Sequence, residues 1–347
     1  MDAGPKLRAH LHPEKASGQE RYIMNRGYIF IFLATIFFSS MEVALKTVAD
    51  AFNPMQLTCT RFLIGGLLLI PFALRGLRQH GATITLRDWK GFAGLGFVGL
   101  VVSMMLYQVS ILYAPASVVS VLFSCNPVLV LAFAFLILHA DIRPQHIAAL
   151  ALEVVAAVII IDPLHTSLDP VGILLVLLSA ATFALYAVLG KKQCAQYSGV
   201  AVTCFSCLAA SAEMIVLMLL SHVGFIADAL TAAGAPMFAN MPFFTGYTSE
   251  NILNVLYICV FVTAGGYACY FMGMEATSAM QGSLVFFFKP VLAPILAMIV
   301  LGENIPWNMW LGIALMLVAS VVSMIPTWEA LIAARPFVAL TLLHRRH

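Results

Sequence analysis

Charged residues are scarce in this sequence, and their scarcity excludes most classes of soluble protein. Only 10% of the 347 residues are charged, whereas 62% are hydrophobic and the mean hydropathy is +0.97. A soluble globular domain carries about 25% charged residues. The composition therefore predicts a polytopic membrane protein that lies in the lipid bilayer. The net charge of +2 gives no reason to expect a nucleic-acid partner, because in a membrane protein the positions of the charges matter more than their sum.

The sequence also lacks the motifs of membrane-embedded enzymes and ATP-driven pumps. The apolar segments contain no Gly-x-Ser-x-Gly or His-Glu-x-x-His motif, and the chain has no nucleotide-binding P-loop. The seven cysteines lie in or beside apolar segments, so no disulfide framework is indicated. Cys204 and Cys207 form a lone Cys-x-x-Cys pair, for which two packed thiols are a better interpretation than a metal site. We therefore expect no catalytic residue, no metal and no cofactor.

Long apolar segments are what the sequence does contain. Ten of them, separated by Gly, Pro and charged residues, have roughly the length that a helix needs to cross a bilayer. They lie near residues 27–46, 54–74, 91–112, 116–138, 146–161, 170–190, 198–222, 251–272, 279–301 and 307–325. The first is not followed by a small-x-small cleavage site, so we interpret it as an uncleaved span. The sequence thus predicts an all-α membrane protein with ten transmembrane helices.

The basic residues give the predicted orientation. If the N-terminus lies inside, 15 of the 18 Lys and Arg residues fall on the inner side, and Lys46 is the one on the outer side. The remaining two, Arg61 and Lys289, lie within spans. The positive-inside rule then predicts that the segments 1–26 and 326–347 are both cytoplasmic.

An internal repeat divides the chain into two halves. A shift of 163 residues places Tyr107–Leu129 on Tyr270–Leu292 without a gap. The identical pairs are Tyr107/Tyr270, Ala116/Ala279, Ser120/Ser283, Phe123/Phe286, Pro127/Pro290, Val128/Val291 and Leu129/Leu292. Each half, 27–161 and 170–325, holds five predicted spans, and an odd number requires the halves to cross the membrane in opposite directions. Inverted repeats of this kind are typical of secondary transporters, whose site lies near the midplane between the halves.

At this level the sequence resembles a known family. Its Asn126-Pro-Val-Leu and Lys289-Pro-Val-Leu-Ala-Pro helices, its Leu301-Gly-Glu303 ending and its five-plus-five spans are similar to EamA-type transporters of the drug/metabolite transporter superfamily. The resemblance covers about 27–325 and implies a bacterial inner-membrane protein that moves amino acids or other small metabolites. Two features depart from the family pattern: Leu138-His-Ala-Asp141 replaces the usual Gly-Glu ending, and a polar lysine precedes the second proline.

Lys289 is the most informative residue of the sequence. A cation near the bilayer centre costs about 2.5–3.5 kcal/mol on insertion scales, so it rarely faces lipid. Pro290 follows it directly, removes a backbone donor and disturbs the turn around Phe286. A charge and a helix irregularity at one depth predict a polar cavity, with a structural lysine as the alternative. Its partner in the repeat is Asn126, which we expect on the opposite side of the same substrate site.

Further candidate residues surround these two positions. We expect small and aromatic side chains to line the site, and the alternative for each is helix packing. These candidates are Phe286, Gly282, Ser120, Ser124, Tyr107 and Tyr270.

Four other ionisable residues lie within predicted spans. Glu42 and Arg61 are at similar depths, so an ion pair between them is feasible, as a structural clamp or with a role in transport. Glu213 is a candidate proton carrier or counter-ion to Lys289, and Glu153 is a weaker candidate.

The leading hypothesis is a secondary transporter that works by alternating access around Lys289 and Asn126, as a monomer or homodimer. A lysine in a dry cavity suits a carboxylate, which favours an amino acid or organic acid as the small-molecule substrate. A membrane-embedded enzyme and a channel are the alternatives. The sequence lacks the catalytic motif that an enzyme needs, and it lacks the rings of like charge or the carbonyl-lined filter that a channel needs.

Overall fold

The computed structural model describes residues 13–138, 144–162, 169–282 and 284–324, and every regular element in this part of the chain is helical. The predicted cytoplasmic tail, Ser283 and most of the Leu138-His-Ala-Asp141 motif lie outside the described residues. In chain order the α-helices are α1 (Pro13–Ser39), α2 (Met41–Lys46), α3 (Pro54–His80), α4 (Leu86–Gly96), α5 (Ser103–Tyr113), α6 (Ala116–Phe123), α7 (Asn126–Leu138), α8 (Pro144–Ile161), α9 (Pro170–Tyr197), α10 (Gly199–Leu220), α11 (Gly224–Ala232), α12 (Ile252–Tyr257), α13 (Ala268–Ala276), α14 (Ala279–Gly282), α15 (Val285–Leu301) and α16 (Trp307–Met324). Two π-helical segments, Phe97–Val102 and Ile258–Tyr267, join α4 to α5 and α12 to α13.

The helices confirm an all-α membrane protein. Seven of the described stretches are long and apolar enough to cross a membrane: Arg26–Lys46, Pro54–His80, Leu86–Tyr113, Ala116–Leu138, Pro170–Tyr197, Gly199–Leu220 and Ile252–Ala276. Three shorter apolar helices, Ile147–Ile161, Phe288–Leu301 and Trp307–Ala319, occupy the other predicted positions. Each of the ten predicted segments is therefore helical, seven at full spanning length.

Local sequence fixes where two long helices begin. Asn53 precedes Pro54 at the start of α3, and its side-chain oxygen accepts a hydrogen bond from Met55 N at 3.0 Å. Asp169 precedes Pro170 at the start of α9 and accepts from Val171 N at 2.8 Å. A polar cap satisfies an N–H group without an intrahelical partner, and proline in the first turn loses no intrahelical bond.

Three predicted spans are broken in the structure. The first is interrupted at Ser40, between α1 and α2. The fourth is interrupted between Phe123 and Asn126, and the ninth between Gly282 and Val285. These breaks place short helix ends and irregular backbone inside the bundle, where such backbone occurs when protein or a cavity surrounds it.

The repeated prolines have different positions relative to the breaks. Pro127 lies in the first turn of α7, directly after the break of the fourth span, where its missing N–H costs little. Pro290 and Pro294 lie inside α15, which continues past both. The sequence predicts a disturbed turn around Phe286, before Pro290; the interruption in the structure lies next to that turn, directly before Val285.

The helices of the two halves pack against each other throughout the bundle. Helix α3 packs along α10, and α8 packs along α16. Helix α1 contacts α13 and α15 of the second half, while α9 of the second half contacts α5, α6 and α7 of the first. Glycines allow close approach, as at Gly66, where a Cβ atom would lie 2.9 Å from a methyl carbon of Leu208.

The contacts of two glycines reveal the symmetry of the halves. A Cβ atom on Gly27 of α1 would lie 2.9 Å from Ala276 Cβ, and one on Gly172 of α9 would lie 3.0 Å from Tyr113 Cβ. Tyr113 and Ala276 are 163 residues apart, which is the offset of the sequence repeat. Gly27 and Gly172 are 145 residues apart, so the first helices of the two halves align with this second offset.

Two lysines repeat this relationship towards the other end of the first span of each half, Lys46 in α2 and Lys191 in α9. Lys46 Nζ donates to Ile111 O at 2.5 Å, and Lys191 Nζ donates to Met274 O. The lysines are again 145 residues apart and the carbonyls 163. A cation at a helix C-terminus satisfies free carbonyls and interacts favourably with the helix dipole.

These contacts establish the direction of the halves. Gly27, at the start of the first predicted span, and Lys191, near the end of α9, both lie at the end of α13. Gly172, at the start of α9, and Lys46 both lie at the end of α5. The first helices of the two halves are therefore antiparallel, as an inverted repeat requires. The π-helical segments agree, because Phe97–Val102 shifted by 163 residues falls on 260–265, within Ile258–Tyr267.

Candidate functional site

A buried ion pair joins the two halves. Lys289 Nζ of α15 lies 2.5 Å from Glu42 Oε1 of α2, and both side chains are 0% exposed. The hydroxyl of Tyr107 in α5 donates a hydrogen bond to the same carboxylate oxygen. The break at Ser40 separates Glu42 from α1, and the break before Val285 places Lys289 in the second turn of α15. Both charges therefore lie close to irregular backbone.

Aromatic rings surround the lysine. Its Nζ lies 4.7 Å from the ring centroid of Phe123, 5.6 Å from that of Tyr107 and 5.8 Å from that of Phe286. The negative faces of such rings attract a desolvated cation. Phe123 and Phe286 are equivalent in the repeat, and their centroids are 5.7 Å apart, so the two halves meet at this pair.

Several polar atoms of this region have no hydrogen-bond partner among the described residues. Glu42 Oε2 and the hydroxyl of Tyr270 are buried and unpartnered, and Lys289 Nζ contacts Glu42 without a well-aligned hydrogen bond. Tyr270 packs against Phe286, with 6.1 Å between ring centroids. A buried polar group without a partner costs about 1–3 kcal/mol. Such groups between aromatic rings are suited to bind the polar ends of a small molecule.

The ion pair is not repeated in the other half. Lys289 corresponds to Asn126 at the 163-residue offset, and Glu42 corresponds to Ala187 at the 145-residue offset. Asn126 donates to Ala180 O of α9 at 3.0 Å, and its Oδ1 atom has no partner among the described residues. The scaffold of glycines, lysine caps and aromatic rings is thus shared by the halves, whereas the ion pair occurs at only one of the two symmetry-related positions between them.

The small residues that were predicted to line the site form hydrogen bonds within their own span or pack against a neighbouring helix. The hydroxyl of Ser120 donates to Ser117 O at 3.1 Å, and that of Ser124 donates to Ser120 O at 2.7 Å. A Cβ atom on Gly282 would lie 2.1 Å from Met274 Cγ. These contacts favour the packing alternative for all three residues.

The other predicted ionisable residues have different surroundings from those expected. Glu42 contacts Lys289 rather than Arg61, whose Nη1 atom lies 3.7 Å from Met41 Sδ. Glu213 is half-buried on α10, and its Oε2 atom has no partner within the described part of the chain; the counter-ion of Lys289 is Glu42 instead. Depth along two helices allowed the Glu42–Arg61 pair, but depth does not specify which way a side chain points around its helix.

Sequence reasoning missed a carboxylate that links the halves. Glu303 follows α15 and accepts hydrogen bonds at the start of α6, from Ala116 N at 2.8 Å and from Ser117 N at 3.0 Å. The Ser117 hydroxyl also donates to Glu303, at 2.6 Å. An acidic side chain at a helix N-terminus satisfies free N–H groups and interacts well with the dipole. The Leu301-Gly-Glu303 motif was the available signal.

Sequence comparison identifies relatives over nearly the whole chain. The EamA-like transporter family matches residues 25–162 and again residues 170–325. An uncharacterized transporter of Clostridium kluyveri is 32% identical over 308 residues, which cover 86% of this chain and 93% of the relative. The protein PagO of Salmonella typhimurium is 22% identical, over 76% of this chain and 82% of its own length.

Structure comparison agrees on the fold. A crystal structure that is 18% identical in sequence matches with a TM-score of 0.62, over 86% of this chain and 96% of the other. The two family matches coincide with the two halves of the inverted repeat, and both the family and the Clostridium kluyveri relative are described as transporters. The chain therefore belongs to the EamA-like transporter family and is a multi-pass membrane transporter.

Proposed function

We propose that this protein is a secondary transporter that moves a small carboxylate-bearing metabolite, with amino acids as the first candidates. The observation that carries this proposal is the ion pair of Glu42 and Lys289, which is fully buried between the halves. Opposite charges at one place in a dry interior are suited to a zwitterion. The carboxylate of an amino acid would replace Glu42 on Lys289, and its ammonium group would bind the released Glu42.

Physical chemistry favours such an exchange over binding to an isolated charge. Removing two charges from water costs several kcal/mol each, and the ion pair offsets this cost while the site is unliganded. An incoming zwitterion brings one charge of each sign, so Glu42 and Lys289 each keep a partner throughout. The rings of Tyr107, Phe123 and Phe286 exclude water, which strengthens each of these interactions.

We further propose that the halves move by alternating access. Two polar links join the halves at opposite ends of the bundle. Glu303 binds the start of α6 at one end, and Glu275 of α13 lies 3.1 Å from His80 at the end of α3 at the other. Opening one end requires the loss of one link while the other persists. The breaks in the first, fourth and ninth spans provide hinge points close to the ion pair.

We propose the location and partners that the sequence predicts. The protein lies in a bacterial inner membrane with both termini in the cytoplasm. It binds a small-molecule substrate and no nucleic acid, as a monomer or homodimer. The charge distribution supports this orientation, since one basic residue lies on the outer side and 15 lie on the inner side. In this orientation Lys46 and Glu303 lie at the outer end, and Lys191 and His80 lie at the inner end.

Counterflow in proteoliposomes tests the proposal. Purified protein is reconstituted, the vesicles are loaded with an unlabelled amino acid, and uptake of the labelled compound is followed. We expect saturable counterflow in the wild type, its loss in Lys289→Ala, and its retention in Lys192→Ala, a matched control because Lys192 is exposed. Counterflow that is unchanged in Lys289→Ala would end the assignment of the site. Unsaturable flux without counterflow would indicate a channel.

A further inference from the structure

Arg61 is a second buried cation beside the ion pair. Its side chain is 0% exposed, and its Nη1 atom lies 3.7 Å from the sulfur of Met41, the residue before Glu42. The guanidinium carbon lies 4.7 Å from the ring centroid of Phe62. The ring of Phe62 packs against that of Tyr267, with 5.4 Å between centroids, and Phe183 contacts both Tyr267 and Phe123, the ring beside Lys289. Arg61 and the ion pair therefore belong to one region of the interior.

The guanidinium group is poorly satisfied by the protein. Its Nε and Nη2 atoms are buried and have no hydrogen-bond partner among the described residues, and Met41 sulfur is only a weak acceptor for Nη1. The carboxylate of Glu42, the residue after Met41, contacts Lys289 instead. A buried charge without a counter-ion is costly, and arginine presents donors in a planar fork that matches a carboxylate.

The charges of the region indicate what such a partner must bring. Arg61 and Lys289 contribute two positive charges, and Glu42 contributes one negative charge. A neutral amino acid would leave the excess positive charge uncompensated. A dicarboxylate without an amine would leave Glu42 without a partner once its lysine is occupied. A compound with two carboxylates and one ammonium group balances all three residues.

We propose that Arg61 is a second anion-binding residue of the substrate site and that the substrates are acidic amino acids. One carboxylate binds Arg61, the other binds Lys289, and the ammonium group binds Glu42. This inference rests on the transport function proposed above. It deepens that function, because it assigns a net negative charge to the compound that is carried.

Pairs of amino acids that differ in one charge test this inference. Counterflow of aspartate is compared with that of asparagine, and glutamate with glutamine, in proteoliposomes of the wild-type protein. We expect the acidic member of each pair to be favoured at least about tenfold, since a site built for a polar group rejects an analogue that lacks it. Equal rates for acid and amide would overturn the inference while leaving amino-acid transport intact. No counterflow of any carboxylate compound would instead reject the transport proposal.

Variants of Arg61 test whether this residue is responsible for the preference for acidic amino acids over their amides. We expect Arg61→Gln to lose most of the acid-over-amide preference, and Arg61→Lys to keep only part of it, because lysine lacks the fork. Arg78→Gln is the matched control, as Arg78 is exposed on the same helix. An Arg61→Gln protein that keeps the full preference contradicts the assignment. If that variant does not fold, an undiminished preference in Arg61→Lys contradicts it instead.

Discussion

Glu42 and Lys289 hold the two halves of this transporter together through a fully buried ion pair, with 2.5 Å between Oε1 and Nζ. At the symmetry-related position between the halves, Ala187 corresponds to Glu42 and Asn126 corresponds to Lys289. The scaffold therefore forms at the equivalent position without an ion pair. This asymmetry supports the binding role proposed above.

The first prediction concerns stability. Glu42→Ala should lower the free energy of unfolding by about 3–5 kcal/mol, because Lys289 would remain buried without its counter-ion. The double variant Glu42→Gln with Lys289→Met should lose less than this, since no uncompensated charge remains. Unfolding is followed by tryptophan fluorescence in detergent micelles, with the exposed Glu250→Gln as the control. The single variants Glu42→Gln and Lys289→Met complete the cycle, and a double variant that loses the sum of their two effects would contradict the pairing.

The second prediction uses the repeated tyrosines as a matched pair. Tyr107→Phe should cost about 1.5–3 kcal/mol, because the hydroxyl donates to a buried carboxylate. Tyr270→Phe should cost less than about 0.5 kcal/mol, since its hydroxyl has no partner among the described residues. Both variants remove one oxygen from equivalent positions, so thermal unfolding of the two proteins compares the hydrogen bonds directly. Equal losses would argue against the bond between Tyr107 and Glu42.

The third prediction tests the inverted repeat through its glycines. Gly27→Ala and Gly172→Ala should each destabilise the protein by about 1–3 kcal/mol, because each added Cβ would overlap the end of the facing helix. Gly94→Ala should be neutral or stabilising by up to about 1 kcal/mol, since it lies in α4 with open space around its Cα. The melting temperatures of the three variants check this order. A neutral effect at both Gly27 and Gly172 would contradict the close contacts.

How much the sequence alone could predict depends on the kind of contact. The ten apolar segments and the repeat were predictable because bilayer thickness sets helix length and the Tyr107 and Tyr270 segments align without a gap. The partner of Lys289 could not be predicted, because the depth of a residue along its helix leaves the direction of its side chain undetermined. The breaks at Ser40 and before Val285 change those directions further, and no local signal as strong as Pro127 marks them.

The fourth prediction concerns the link at Glu303. Glu303→Ala should remove three hydrogen bonds between the halves and favour opening at that end of the bundle. A cysteine replacing Ser117, in a protein without the seven native cysteines, reports opening by its labelling rate with a membrane-impermeant maleimide added from outside. This replacement removes the Ser117 hydroxyl but keeps the two backbone hydrogen bonds to Glu303 that the Glu303→Ala change then removes. We expect slow labelling with Glu303 present and faster labelling in Glu303→Ala.

The matched control for this labelling is Glu250→Ala, because Glu250 is exposed in the loop before α12. It should leave the rate at position 117 unchanged. Equally slow labelling in the Glu303→Ala protein would mean that the link does not hold this end closed.

Binding of a labelled amino acid to the purified double variant Glu42→Gln with Lys289→Met tests the central claim most directly. This protein should fold, because it carries no uncompensated charge at the ion-pair position. The account predicts that the wild type binds the compound saturably and that the folded double variant has lost at least about tenfold in affinity. Equal affinities in the two proteins would show that the ion pair is a structural clamp and that the substrate binds elsewhere.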